Sequence, residues 1–154
     1  MIKSPRVLIV EADFYQDITE GLAQGAIQVL DAAGVSYQRV TVPGAFEVPA
    51  VIRFAIRSME ERSAEEPYSG YIALGCVIRG ETDHYEHICR ETSRALMDIS
   101  VKFSVALGFG ILTCENHEQA WARADVNQKN KGADAAKACL RMMELKKSLR
   151  LVPR

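Results

Sequence analysis

Two short stretches, "RVLIVEA" at residues 6–12 and "GYIALGCVI" at 70–78, are almost continuously apolar and rich in β-branched side chains. A strand with one wet face alternates apolar and polar residues, whereas a strand covered on both faces does not. The pair therefore predicts central strands of a parallel sheet with helices on either side. "YQRVTVP" (37–43) is a weaker third run, and "FSVALGFGILT" (103–113) a fourth, softened by glycines.

Helical spacing fills the intervals. Ile18, Leu22, Ala26, Val29, Leu30 and Ala33 recur at three and four, with Gly34 as a stop signal. Val48, Val51, Ile52, Ala55, Ile56 and Met59 repeat the pattern before a loop at 63–70. Tyr85, Ile88, Thr92, Ala95, Leu96 and Ile99 mark a third helix, 116–124 a shorter one, and 132–149 the last. Strand–helix alternation of this kind predicts an α/β chain with a parallel sheet of four strands, helices on both faces and right-handed crossovers. At 154 residues the chain has the length of one domain, read here as 1–149. The final "LVPR" matches the upstream half of a common engineered protease site, so 150–154 is set aside as a tail.

Composition removes several classes of function. The net charge of −1 gives no basis for nucleic-acid or membrane-surface binding, and no apolar run is long enough to span a bilayer. The first acid, Glu11, follows only a short apolar run, which does not read as a signal peptide; a cytoplasmic protein is expected. Cysteines 76, 89, 114 and 139 form no C-x-x-C and fit neither a disulfide framework nor a zinc ribbon, so buried, reduced thiols are expected.

In parallel sheets ligands sit beyond the carboxyl ends of the strands, and there the polar residues of this chain collect. The ends carry Asp13-Phe14, Pro43-Gly44-Ala45-Phe46-Glu47, Arg79 to His84, and Thr113 to Asn116. "RGETDH" puts Gly80, Glu81 and Thr82 at a helix start, where backbone N–H groups can receive an anion; an ordinary cap by Thr82 or Asp83 explains the same residues. Neither a G-x-x-x-x-G-K-[ST] loop nor a G-x-G-x-x-G after the first strand is present. His84 and His87 share a helix face, but Cys89, His117 or Glu115 would be needed to complete a metal site and none has a recognised spacing, so no metal is expected. His84, beside the predicted crevice, is a candidate proton shuttle. Phe14 and Phe109 are either core residues or the two sides of a pocket for a flat ring. Arg123, Lys129 and Lys131 lie in a polar run that is a solvated face or a phosphate subsite; at the third strand end the only cation is Arg79.

The segments "PGAFEVP", "ALGCVIRGETDHYEHIC", "GFGILTCEN" with "EQAWARA", and "NKGADAA" resemble, in order and spacing, those of the lumazine synthase family of riboflavin biosynthesis, from about Arg6 to Leu149. The resemblance implies a flavodoxin-like three-layer α/β/α sandwich. It also implies condensation of 5-amino-6-(D-ribitylamino)uracil with 3,4-dihydroxy-2-butanone 4-phosphate, without metal or organic cofactor, in sites shared between adjacent subunits of a homopentamer. By motif position it implies that Phe14 stacks on the pyrimidine and that Ala45, Phe46 and Glu47 meet the ribityl chain. Cys76, Val77 and Ile78 present backbone to the pyrimidine. Glu81 and Thr82 hold the phosphate with a neighbour's Arg123, and His84 transfers protons. Phe109 closes the pocket from the neighbour, with Lys131 beside it.

Two departures from the family pattern carry expectations. The stretch "ADVNQKNKG" has Asn127 where many relatives carry lysine, which predicts a weaker phosphate subsite. Five residues, including Lys3 and Pro5, precede the first strand, and proline cannot donate to an added strand; with the altered 124–132 segment this predicts a pentamer that does not close into a sixty-subunit shell. The rival function is non-catalytic binding of a flavin or lumazine on the same fold.

Overall fold

A computed structural model describes residues 4–62 and 66–151. Strand β1 (Arg6–Ala12) leads through α1 (Gln16–Ala32) to β2 (Ser36–Val42). A single 3-10 turn (Ala45–Glu47) opens into α2 (Val48–Glu60), followed by β3 (Gly70–Ile78) and α3 (His84–Phe103). Then come β4 (Leu107–Cys114), α4 (His117–Ala124) and α5 (Lys131–Ser148). All strand pairs are parallel and the order is β2-β1-β3-β4, so the two continuous apolar runs occupy the centre of the sheet, as their composition predicts.

Two cores flank the sheet. Ile18, Leu22 and Leu30 of α1, Ala120 and Ala124 of α4, and Ala136 and Cys139 of α5 pack with Val7, Ile9, Ile72 and Leu74. On the other face Val48, Ile52 and Ile56 of α2 and Leu96 and Ile99 of α3 meet Leu8, Val10, Tyr71 and Ala73. Successive residues of one strand thus serve opposite cores, the three-layer α/β/α arrangement of a flavodoxin-like fold. The exception in β1 is Glu11, buried at 2% exposure. Arg39 of β2 donates to both of its carboxylate oxygens at 2.7 and 2.9 Å and also reaches Glu20 of α1 at 3.0 Å, so the buried charge is paired rather than stranded.

Boundaries move where local chemistry overrides pattern. β4 begins at Leu107 rather than 103 because α3 continues through Phe103 and stops at Ser104 in the left-handed conformation (φ 54, ψ 47). Phe103 stays helical because it packs on the α2–α3 core and lies under the Arg53 guanidinium, 4.3 Å from the ring centroid. β2 runs 36–42 instead of 37–43, ending before Pro43, which has no N–H for the ladder. Gly34 adopts φ +70, as its reading as a stop signal requires. The 63–70 loop, the N-terminal segment and the "LVPR" tail lie partly outside the described residues: 63–65, 1–3 with Lys3, and 152–154 respectively.

Close approach of α5 fixes the edge of the sheet. A Cβ on Gly132 would sit 1.9 Å from the Leu22 carbonyl oxygen of α1, and one on Gly108 would sit 2.0 Å from that of Ala135. Backbone on both sides leaves no room to yield. Gly132→Ala is therefore expected to lower stability by about 1–3 kcal/mol, read as a fall in the denaturation midpoint. Gly80→Ala, where nothing lies within 4 Å of the added carbon, is the control expected to leave the midpoint nearly unchanged.

Candidate active site

The carboxyl ends of β1, β2 and β3 surround an open cavity of about 520 Å³, within the size range of small-molecule sites. Its shape follows from strand lengths. The register pairs β1 with β3 only as far as Glu11 and Leu74, and β1 ends at Ala12. β3 continues to Ile78, still paired to β4 through Ile78 and Cys114. Cys76, Val77 and Ile78 thus overhang β1 with no β1 residue paired to them, and all three line the cavity.

Each neighbouring element adds a wall. After β1 the chain bends sharply, held by the Thr19 hydroxyl donating to the Ala12 carbonyl (2.6 Å) and by Asp13 N–H donating to the Val42 carbonyl (3.1 Å). The bend leaves Phe14 72% exposed at the cavity, with Tyr15 edge-on to it at 4.9 Å between centroids. After β2 the 3-10 turn brings Ala45, Phe46 and Glu47 to the opposite wall, with Glu47 N–H donating to the Gly44 carbonyl at 3.2 Å. Gly44 is extended (φ −150, ψ 172), and a Cβ there would lie 3.3 Å from the Glu47 Oε1. His84 and Ile88, one turn apart on α3, close the remaining side.

The start of α3 is held from outside the cavity. Asp83 occupies the cap position but makes no side-chain cap; its carboxylate lies 3.5 Å from the His87 ring instead. The Thr82 hydroxyl accepts weakly from His84 N–H at 3.3 Å. The Arg79 guanidinium pairs with Glu86 of α3, donates to Glu115 beyond β4 at 2.8 Å, and lies over the Tyr85 ring at 4.4 Å. Arg79 holds the Glu86 carboxyl below its usual range. Burial pushes the Cys76 thiol up to about 12, with the Cys114 sulfur adding to the shift, and burial also raises Tyr15.

The structure gathers eight of the residues singled out from sequence around one cavity: Phe14, Ala45, Phe46, Glu47, Cys76, Val77, Ile78 and His84. Glu81 and Thr82 sit in the exposed segment before α3 and do not line it. Phe109, Arg123 and Lys131 lie elsewhere. Phe109 is 48% exposed on edge strand β4, Arg123 donates to the Gln119 carbonyl at 3.1 Å within α4, and Lys131 pairs with Asp134 at 3.3 Å. Two wall residues escaped the sequence reading. Ile88 was legible as the i+4 neighbour of His84, whereas nothing in the pattern separates Tyr15 from an ordinary helix-start residue. Among the described residues no group of three His, Cys, Asp or Glu side chains is disposed to hold a metal, and no helix is long and apolar enough to cross a membrane.

Comparison with known proteins adds an independent line. The family model for 6,7-dimethyl-8-ribityllumazine synthase matches residues 4–147. The chain is 52% identical over 148 residues to the 6,7-dimethyl-8-ribityllumazine synthase of Nitrobacter winogradskyi, covering 96% of this chain and 90% of that protein. It is 53% identical over 148 residues to 6,7-dimethyl-8-ribityllumazine synthase 1 of Rhizobium meliloti, covering 96% and 95% respectively. With the Bartonella bacilliformis synthase it shares 54% over 144 residues, 94% of this chain and 91% of the relative.

The raised thiol at the cavity wall has a measurable consequence. A cysteine titrating at about 12 has, at pH 8, about a thousandfold less thiolate than an ordinary one. Cys76 is expected to resist iodoacetamide at pH 8 in the folded protein and to react normally after denaturation, as read by mass spectrometry of its peptide. Rapid native labelling at pH 8 would contradict the burial described.

Proposed function

The chain belongs to the 6,7-dimethyl-8-ribityllumazine synthase family, and on that premise we propose that it condenses 5-amino-6-(D-ribitylamino)uracil with 3,4-dihydroxy-2-butanone 4-phosphate. The observation that carries the reading is the cavity where β3 outruns β1, with an exposed ring on one wall and an imidazole on another. A pyrimidine is flat, with donors and acceptors on its rim. Phe14 offers it a face for stacking, and the free edge of Cys76, Val77 and Ile78 offers matching main-chain groups. The ribityl chain runs along Ala45, Phe46 and Glu47, whose carboxylate accepts from its hydroxyls.

The chemistry moves protons at every stage. The pyrimidine amine attacks the ketone carbon, and the carbinolamine loses water to give an imine. A proton is then lost from carbon as phosphate departs with the C–O bonding electrons, and the second amine closes the ring with loss of another water. His84 serves these transfers, since imidazole exchanges protons near neutral pH. Alignment of two bound substrates supplies much of the remainder, an effect worth about 7–11 kcal/mol in well-oriented pairs.

The phosphate asks for a cation, and none of the residues lining the cavity is Lys or Arg. Glu81 and Thr82 receive it at the start of α3, through main-chain N–H groups and the Thr82 hydroxyl, and Arg123 of the partner subunit balances its charge. Phe109 of the partner subunit covers the ring, with Lys131 of the partner subunit beside it. A site of this kind is incomplete in one chain, which favours a closed ring of subunits, and the family resemblance sets that ring at five, a homopentamer. A binder of unphosphorylated flavin or lumazine would use the same stacking wall but has no task for the phosphate group of residues.

Mixing the purified protein with both substrates is expected to form fluorescent lumazine; product no faster than the uncatalysed background would overturn the assignment. Arg123→Ala is expected to raise KM for the butanone phosphate about tenfold or more with little change for the pyrimidine. Equal changes for both substrates would remove it from the phosphate subsite. Light scattering after size exclusion is expected to give about five times the 17.1 kDa chain mass.

A further inference from the structure

The guanidinium of Arg79 lies outside the cavity, yet it joins three segments around it. Its own residue directly follows β3, with Arg79 N–H donating to the Cys114 carbonyl at 2.9 Å. Its side chain pairs with Glu86 and stacks on Tyr85, both in the first turn of α3. It also holds Glu115, the residue after β4, at 2.8 Å. Helix starts fray unless their free N–H groups are satisfied, and α3 has no side-chain cap at Asp83. The Arg79 contacts tie the first turn down from its side chains without serving those N–H groups, since a guanidinium only donates.

Its geometry bears on His84. On a helix Glu86 lies about 200° around the axis from His84, so the residue gripped by Arg79 is on the far side from the one facing the cavity. Holding Tyr85 and Glu86 fixes the rotation of the first turn and so the direction of the imidazole. We propose that Arg79 is a positioning residue: it does not touch substrate but aims His84 by clamping the back of the first turn of α3 to the end of β4. Both carboxylates draw on the same guanidinium, which makes it a poor free anion ligand despite its place at the strand end. The proposal rests on the proton-transfer reading of His84.

Arg79→Ala is expected to lower kcat by about tenfold, as displacement of a general acid–base group does, with KM for the pyrimidine essentially unchanged. In a His84→Ala background the same substitution is expected to cost less than twofold more, since it acts through the imidazole. Arg79→Lys, which keeps the charge but not the two-carboxylate fork, is expected to fall between parent and Arg79→Ala. NMR of ring-labelled histidines provides a readout independent of turnover: in Arg79→Ala the His84 signal is expected to shift or broaden while that of His117 stays in place. An unmoved His84 signal, a full additive loss in the double variant, or a rise in the phosphate substrate's KM with kcat unchanged would each overturn the proposal. An inactive parent protein with a His84 signal that still depends on Arg79 would instead defeat the functional reading alone. If Arg79→Ala does not fold, Arg79→Lys carries both measurements, and unchanged kcat and His84 signal in it would sink the idea.

Discussion

Burial of β3 on both faces is the constraint from which the site follows. Its first seven residues are shut off from water, so their backbone groups are satisfied by ladders to β1 and β4, and their side chains must be apolar. Polar chemistry can appear only where that cover ends. Because β1 stops short of the last three residues of β3, the cover ends first on one side. The result is a strand terminus still braced by β4 but open toward β1: a rigid main-chain edge facing a cavity. Loops alone hold such an edge less firmly than a strand does.

Aromatic exposure divides in a way the cavity explains only in part. Phe14 at 72% and Phe46 at 60% exposure flank it, and a bound ring and sugar chain would cover them. Phe109 at 48% is on the edge strand, away from the cavity, and Phe54, Met97 and Val101 add apolar surface on α2 and α3. Scattered exposed apolar residues are ordinary, but large ones concentrated on edges and outer helix faces favour contact with further protein. A second copy whose Phe109 meets the Phe14 wall would cover both rings at once.

Much of this was legible in the sequence because the strongest signals report burial. The runs at 6–12 and 70–78 gave both central strands with their observed bounds, since continuous apolarity has one meaning in an α/β chain. β4 was less clear, because Phe103 is apolar in either a strand or a helix and only its packing under Arg53 decides. The 3-10 turn at Ala45–Glu47 left no signal beyond its flanking prolines. Eight of the site residues were readable as strand-end chemistry, but the partners of Arg79 were not: Glu115 is thirty-six residues away, and nothing in spacing links them.

The allocation of charge around the cavity then ties binding to assembly. Arg79 is the cation that sequence offers at the end of β3, and a monomer able to bind phosphate by itself would leave it free. It is committed twice over, to Glu86 and Glu115, and no Lys or Arg is among the cavity-lining residues. A helix start with open N–H groups attracts an anion, but this one also carries Glu81, Asp83 and Glu86, whose charges oppose a dianion. On the proposed chemistry, the phosphate's counter-charge would come from beyond the residues that line the cavity. The role proposed for Arg123 is compatible with its place in α4, where its guanidinium donates to the Gln119 carbonyl rather than to a carboxylate. In the proposed ring, a counter-charge supplied by a second copy would make substrate binding depend on assembly, and one interface would serve stability and chemistry together.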